Sequence, residues 1–184
     1  GYIVNGKGSV QVANRIFEMR LYNYFLSEEE LTDAMYHEAQ RERNQFIKNQ
    51  KLDMKLVLEK FVLHFTDIYR DHDERFVEEY GRKFFLLYLK PIINGTGNYY
   101  IESETRDARR TDVIVDYLGQ QFIIELKIWH GNEYQERGGQ QLVEYLDFYH
   151  QKVGYLLSFN FNKKKEKGAK KLQIGEKTII EAVV

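Results

Sequence analysis

Apolar positions along the chain follow two different periods. Through residues 14–70 they recur three and four apart, which is helical spacing. Ile16, Phe17, Leu21, Tyr24 and Phe25 mark one helix over about 14–26, and Val57, Phe61, His64, Phe65 and Ile68 lie along one face of another. Ser27 followed by Glu30 reads as a capping box for a helix between these two, and Asp53 as the cap of the third. The first 12 residues read as loop and short strand. A fourth helix is expected over about 73–90, with Val77, Tyr80, Phe84, Phe85 and Tyr88 on its apolar face. Pro91 and the loop over 94–97 are expected to end it.

The period then shortens to two. Tyr99–Thr105 reads as a strand. Val113, Val115 and Tyr117 share one face of 112–118, and Phe122, Ile124, Leu126 and Ile128 share one face of 122–129. The Gly119-Gln120 step between them suggests a tight hairpin. A fifth helix is expected over about 135–151, with Leu142, Val143, Leu146 and Tyr149 as its buried stripe. An apolar strand over 153–161 follows. Residues 172–174 and 178–184 read as a hairpin about Gly175-Glu176. From residue 73 the order is helix, three strands, helix, strand and terminal hairpin, an α/β chain. Residues 1–72 then form a mainly helical extension and 73–184 the main domain.

Composition narrows the chemistry. The chain has 184 residues and no cysteine, so thiolate metal sites, iron–sulfur clusters and cysteine nucleophiles are excluded. The 14 Tyr and 12 Phe supply large rings for a core. Apolar runs are too short to span a membrane, no signal segment is visible, and the absence of cysteine fits a cytoplasmic setting. Gly1 in place of Met reads as a processed, tagged or cut chain. A net charge of −1 excludes a uniformly basic coat for nucleic acid, although lysines gather over 163–171.

The hairpin places charge on one face. If Leu118 faces Gln121, Asp112 stands opposite Lys127 and Ile114 opposite Glu125. Side chains alternate between faces, so Asp112, Glu125 and Lys127 share the face away from the apolar one. Two carboxylates suit Mg²⁺, which keeps most of its waters. The metal acidifies a water and offsets phosphate charge, and a neighbouring lysine orients or deprotonates that water. The plain alternative is a surface ion pair on a solvated sheet face.

The order of elements around Asp112 resembles the PD-(D/E)XK nuclease superfamily. Arg110-Thr111-Asp112-Val113-Ile114-Val115 and Ile123-Ile124-Glu125-Leu126-Lys127 are close to its usual form, and Gln141-Leu142-Val143-Glu144-Tyr145 matches its Gln-x-x-x-Tyr motif. Thr111 stands where the family's name-giving proline would be. The resemblance implies a restriction-endonuclease-like core. It also implies Mg²⁺ (or Mn²⁺) on Asp112 and Glu125, Lys127 acting on water, and Gln141 with Tyr145 supporting the site. The family usually carries a Glu on the preceding helix. Glu78 adjoins the apolar face and is favoured over Glu79 as an outer ligand.

Val12 to Glu18 and Tyr22 to Phe25 resemble the junction that follows the ATPase part of bacterial and archaeal AAA-ATPase-like proteins, whose C-terminal domains are nuclease-like. The implied function is Mg²⁺-dependent hydrolysis of DNA, with an upstream ATPase-like region as partner. The alternative is a non-cleaving nucleic-acid-binding or regulatory module. Arg109 and Arg110 suit phosphate contact or pairing with Asp107 or Asp112. Lys163, Lys164 and Lys165 suit phosphate contact or a solvated loop. Glu102 and Glu104 read as possible neighbours of the site or as surface acids. His130 reads as a loop residue near the site, and His64 as a packing residue. Gly1 to Gly8 nearly matches a phosphate-binding loop, but Gly8 replaces the required hydroxyl.

Overall fold

The computed structural model describes residues 3–6, 9–12, 14–69, 76–104, 110–129, 132–162 and 166–184. The chain divides into two compact units, Gly1–Asp33 and Ala34–Val184. The first holds a hairpin of β1 (Ile3–Gly6) and β2 (Ser9–Val12), then α1 (Arg15–Glu30). The Asn14 side chain caps α1 by accepting from the Phe17 N–H at 3.1 Å. Ser27 does not open a new helix. It lies inside α1, where its hydroxyl donates to the carbonyls of Asn23 and Tyr24 at 2.9 and 2.8 Å. That back-bonding satisfies the hydroxyl within the helix and leaves no cap to form. Of the apolar residues on α1, Leu26 is buried while Ile16, Leu21, Tyr24 and Phe25 are exposed.

The second unit opens with α2 (Ala34–Glu42) and a short 3₁₀ turn. A small hairpin of β3 (Ile47–Lys48) and β4 (Lys51–Leu52) interrupts what reads as a helical region. Its two linking residues, Asn49 and Gln50, take φ of 51° and 61°. Then come α3 (Met54–Ile68), capped by Asp53 accepting from the Leu56 N–H, and α4 (Glu78–Ile93). Pro91 does not end α4 but sits buried in its last turn. Its missing N–H removes the one helical hydrogen bond to the Leu87 carbonyl, and the helix ends within a turn beyond it. α2 and α3 belong to the same unit as the strands that follow.

Six strands form the main sheet: β5 (Gly97–Glu104), β6 (Arg110–Tyr117), β7 (Gln120–Ile128), β8 (Val153–Phe159), β9 (Gly168–Ile174) and β10 (Lys177–Val183). Their order is β5-β6-β7-β8-β10-β9. β7, β8 and β10 run parallel, while β5, β6 and β9 pair antiparallel. The terminal hairpin therefore extends the main sheet, with β10 inserted beside β8. The connection from β7 to the parallel β8 is made by α5 (Asn132–Phe148), as a parallel pair requires.

Both faces of the sheet are covered. On one, Phe61 and Phe65 of α3, Phe85 and Tyr88 of α4, and Phe159 of β8 form an aromatic core with ring centroids 5.5–6.4 Å apart. Each such ring, fully buried, contributes about 2 kcal/mol of transfer free energy. Phe46, in the 3₁₀ turn, joins this core through Tyr88. Val77 and Tyr80, expected on the apolar face of α4, are exposed instead. On the other face, Leu142, Tyr145 and Leu146 of α5 pack on Ile114, Ile123, Leu156 and Ile179. Among the described residues, no helix is long and apolar enough to cross a membrane.

Two glycines set the helix-to-sheet distances. A Cβ at Gly81 would overlap the ring of Phe159. A Cβ at Gly154 would lie 2.8 Å from Leu146 Cδ1 and 3.0 Å from Leu142 Cγ. Alanine at either position must push a packed element away. Each substitution is expected to cost about 1–3 kcal/mol, read as a lower urea midpoint at unchanged m. An unchanged midpoint for both would contradict the close packing.

Candidate active site

The β6–β7 turn fixes the site. Its central residues are Leu118 and Gly119, with φ of 46° and 79°, both positive as a type I′ turn requires. Gly119-Gln120 is not the turn. Tyr117 consequently pairs with Gln120, and Val113 with Ile124. This register differs by two residues from the expected one, so Ile114 faces Ile123 rather than Glu125. A two-residue slip keeps every side chain on its face. Asp112, Glu125 and Lys127 still share a face, with Asp112 level with Glu125 rather than Lys127. The Asp112 carboxylate reaches over and accepts the Leu126 N–H at 2.7 Å.

This face is not a solvated surface. Glu125 is 1% exposed beneath α5. Lys127 Nζ is 2.9 Å from Glu125 Oε1, and the lysine side chain is 20% exposed. Glu125 Oε2 is buried with no hydrogen-bond partner among the described residues. A buried carboxylate in that condition is costly unless a further positive group joins it. Gly138 of α5 lies directly over the lysine, since a Cβ there would be 3.2 Å from Lys127 Cγ. Burial and the charge of Asp112 push Glu125 up to about 8, only partly opposed by Lys127. Burial alone would lower Lys127, but the carboxylates of Glu125, Asp112 and Glu78 outweigh it and keep the lysine protonated.

Glu78 stands at the first turn of α4 and is half-buried, whereas Glu79 is exposed. Burial and Asp112 raise the Glu78 carboxyl, while Lys127 and Arg82 pull it down. Gln141 donates to the Tyr145 hydroxyl at 2.8 Å. Burial raises the Tyr145 hydroxyl, the Gln141 hydrogen bond opposes this, and Glu125 and Asp112 raise it further. The structure therefore brings together Asp112, Glu125, Lys127, Glu78, Gln141 and Tyr145. Among the described residues, no three His, Cys, Asp or Glu side chains are placed to hold one metal ion together. Asp112, Glu125 and Glu78 are coupled through their charges.

Hard oxygen donors and an orphaned carboxylate oxygen suit Mg²⁺, which takes one or two carboxylates and keeps several waters. Arg109, His130, Lys163, Lys164 and Lys165 lie outside the described residues, as do the side chains of Glu102, Glu104 and Arg110. His64 packs as expected, with Nε2 3.0 Å from Glu42 Oε2. Three features escaped sequence reasoning. Arg82 is buried beside Glu78, the Tyr149 hydroxyl bonds the side chain of buried Thr111, and buried Ser158 pairs in register with Lys127. Only the strand order could have revealed Ser158.

Residues 98–172 match the family model of the PD-(D/E)XK nuclease superfamily. That stretch contains Asp112, Glu125, Lys127, Gln141 and Tyr145 but not Glu78. The α/β architecture is consistent with a restriction-endonuclease-like fold. No curated protein matches the chain.

A carboxyl that holds its proton more tightly in the folded than in the unfolded state contributes stability that fades as pH rises through its folded value. Metal-free protein should therefore lose stability between about pH 5 and about pH 8 through Glu125. Glu125→Gln, neutral throughout, should remove that component. Urea unfolding of both proteins in EDTA at about pH 6 and about pH 9 reads the difference. A wild-type advantage that grows with pH would contradict the buried, raised carboxyl.

Proposed function

We propose that the chain is a divalent-metal-dependent nuclease that hydrolyses DNA phosphodiester bonds. The observation that carries this is the buried Glu125 carboxylate, flanked by Asp112 and Lys127, with an oxygen lacking a hydrogen-bond partner. Asp112 and Glu125 would hold Mg²⁺, or Mn²⁺ in its place, and Glu78 would act on the ion through water. Bound there, the ion would acidify a water and neutralise charge building on the phosphate.

The chain's own residues complete the chemistry. Lys127, 2.9 Å from Glu125, would orient the attacking water and meet the phosphate. Its proton is held by the surrounding carboxylates and becomes easier to lose as their charge is neutralised. Gln141 and Tyr145, hydrogen-bonded to each other one helical turn apart on α5, would support the site. Arg109, Arg110, Lys163, Lys164 and Lys165 belong to this proposal as backbone contacts. So does an upstream ATPase-like region, on the strength of the junction-like residues 12–18 and 22–25. The matched family supports nuclease chemistry and nucleic acid as the partner.

Lys127→Ala should lower Mg²⁺-dependent cleavage of labelled DNA by about 10²–10⁴-fold. Asp112→Ala should abolish it. If both variants fold and cleave as the wild type does, this site is not the catalytic one. If the wild type binds DNA with Mg²⁺ but never cuts it, the chain is a binding module.

A further inference from the structure

We infer that the exposed rings of Tyr80 and Phe161, joined through Phe76, form a platform on which unpaired bases stack, so that the substrate brought to the site is single-stranded DNA. The inference rests on the nuclease reading above and adds the strandedness of its substrate.

Rings from two parts of the chain meet in this patch. Tyr80 belongs to the first turn of α4, with Phe76 just ahead of that helix, and Phe161 follows the end of β8. The Phe76 ring centroid lies 6.5 Å from that of Tyr80 and 4.9 Å from that of Phe161. Phe76 also rests on Phe159 at 5.0 Å, which anchors the patch to the aromatic core. Tyr80 is nevertheless 50% exposed and Phe161 52%. Single exposed apolar residues are ordinary, but contiguous ones supplied by separate elements mark a contact surface.

The patch adjoins the site without crossing the face beneath α5. Phe159 pairs in register with Ile128, the residue after Lys127, and Phe161 lies two residues further on. Glu78 and Tyr80 share the first turn of α4 on opposite flanks, since residues two apart on a helix point about 200° apart. That helix is about 10 Å across, or about three nucleotides at a rise of about 3.4 Å each. Glu125 is sealed, but Asp112, Lys127 and Glu78 are only half-buried, so the accessible side of the site is the one that Glu78 borders.

The chemistry of the patch selects the occupant. Charge there is mixed: Glu79 is exposed, and Lys83 Nζ lies 5.8 Å from the centroid of the Tyr80 ring. Attraction for phosphate is therefore weak, and the ring faces are what the patch offers. Every base has a π-face that stacks on such rings whatever its sequence. Bases inside a duplex already stack on one another, so only unpaired ones fit. The position beside the site favours the substrate strand over a protein partner.

The test is fluorescence anisotropy with a labelled single-stranded oligodeoxynucleotide and its duplex over a salt series, on an Asp112→Asn parent that cannot cleave. Tyr80→Ala and Phe161→Ala should each weaken single-strand binding about 5–100-fold. The slope of log K against log salt should stay within error, because no phosphate contact is removed. Duplex binding should be weaker in the parent and unchanged in the variants. Tyr80→Trp should retain single-strand affinity. Phe148→Ala, which removes an exposed ring at the end of α5, should leave it unchanged. Should Phe161→Ala not fold, Tyr80→Ala alone gives the reading, because that ring is half exposed. Parental single-strand affinity in the ring variants, or equal losses on duplex and single strand, would overturn the inference. So would a self-association that the ring variants abolish with oligonucleotide affinity intact, which would assign the rings to protein contact. A parent that binds neither form of DNA would instead defeat the nuclease reading itself.

Discussion

The arrangement of the second unit turns on the placement of Glu125. A carboxylate is sealed under α5 on the central part of a sheet, beside a second carboxylate, with one lysine to balance them. Burial and like-charge repulsion both oppose ionisation there. Folding alone gains nothing from such a group, since an apolar residue would fill the space at lower cost. The chain nevertheless organises several elements around it. The β6–β7 turn sets Asp112 level with it, Gly138 lets α5 come down over Lys127, and α4 presents Glu78 from its first turn. A buried carboxylate in that position is best compensated by a further positive charge.

That constraint also explains the coverage of both sheet faces. The aromatic side, built from Phe61, Phe65, Phe85, Tyr88 and Phe159, supplies the hydrophobic stabilisation against which the polar side can be afforded. The abundance of Phe and Tyr thereby connects to chemistry on the other face. It also explains why α3 belongs with the sheet, because it provides two of those rings.

Much of this was legible in the residues. The alternation over 112–118 and 122–129 placed Asp112, Glu125 and Lys127 on one face, and that survived an error in the turn because a two-residue slip conserves parity. What was not legible depends on tertiary context. The alternation could not say that α5 covers the charged face, which separates a buried site from a surface ion pair. Ser158 looks ordinary until strand order sets β8 beside β7. Ser27 had the sequence of a cap, yet helix continuity through residue 30 outweighed it. Pro91 read as a stop but was accommodated in the final turn of α4.

The central claim is that Asp112 and Glu125 share one divalent cation. Crystals grown with Mn²⁺ and measured at its absorption edge test it most directly. The account predicts one anomalous peak bridging the two carboxylates at about 2.0–2.3 Å from each, with Glu78 reaching it through water. The peak should vanish in Glu125→Gln. No peak between Asp112 and Glu125 at saturating Mn²⁺, or one that persists in that variant, would contradict it.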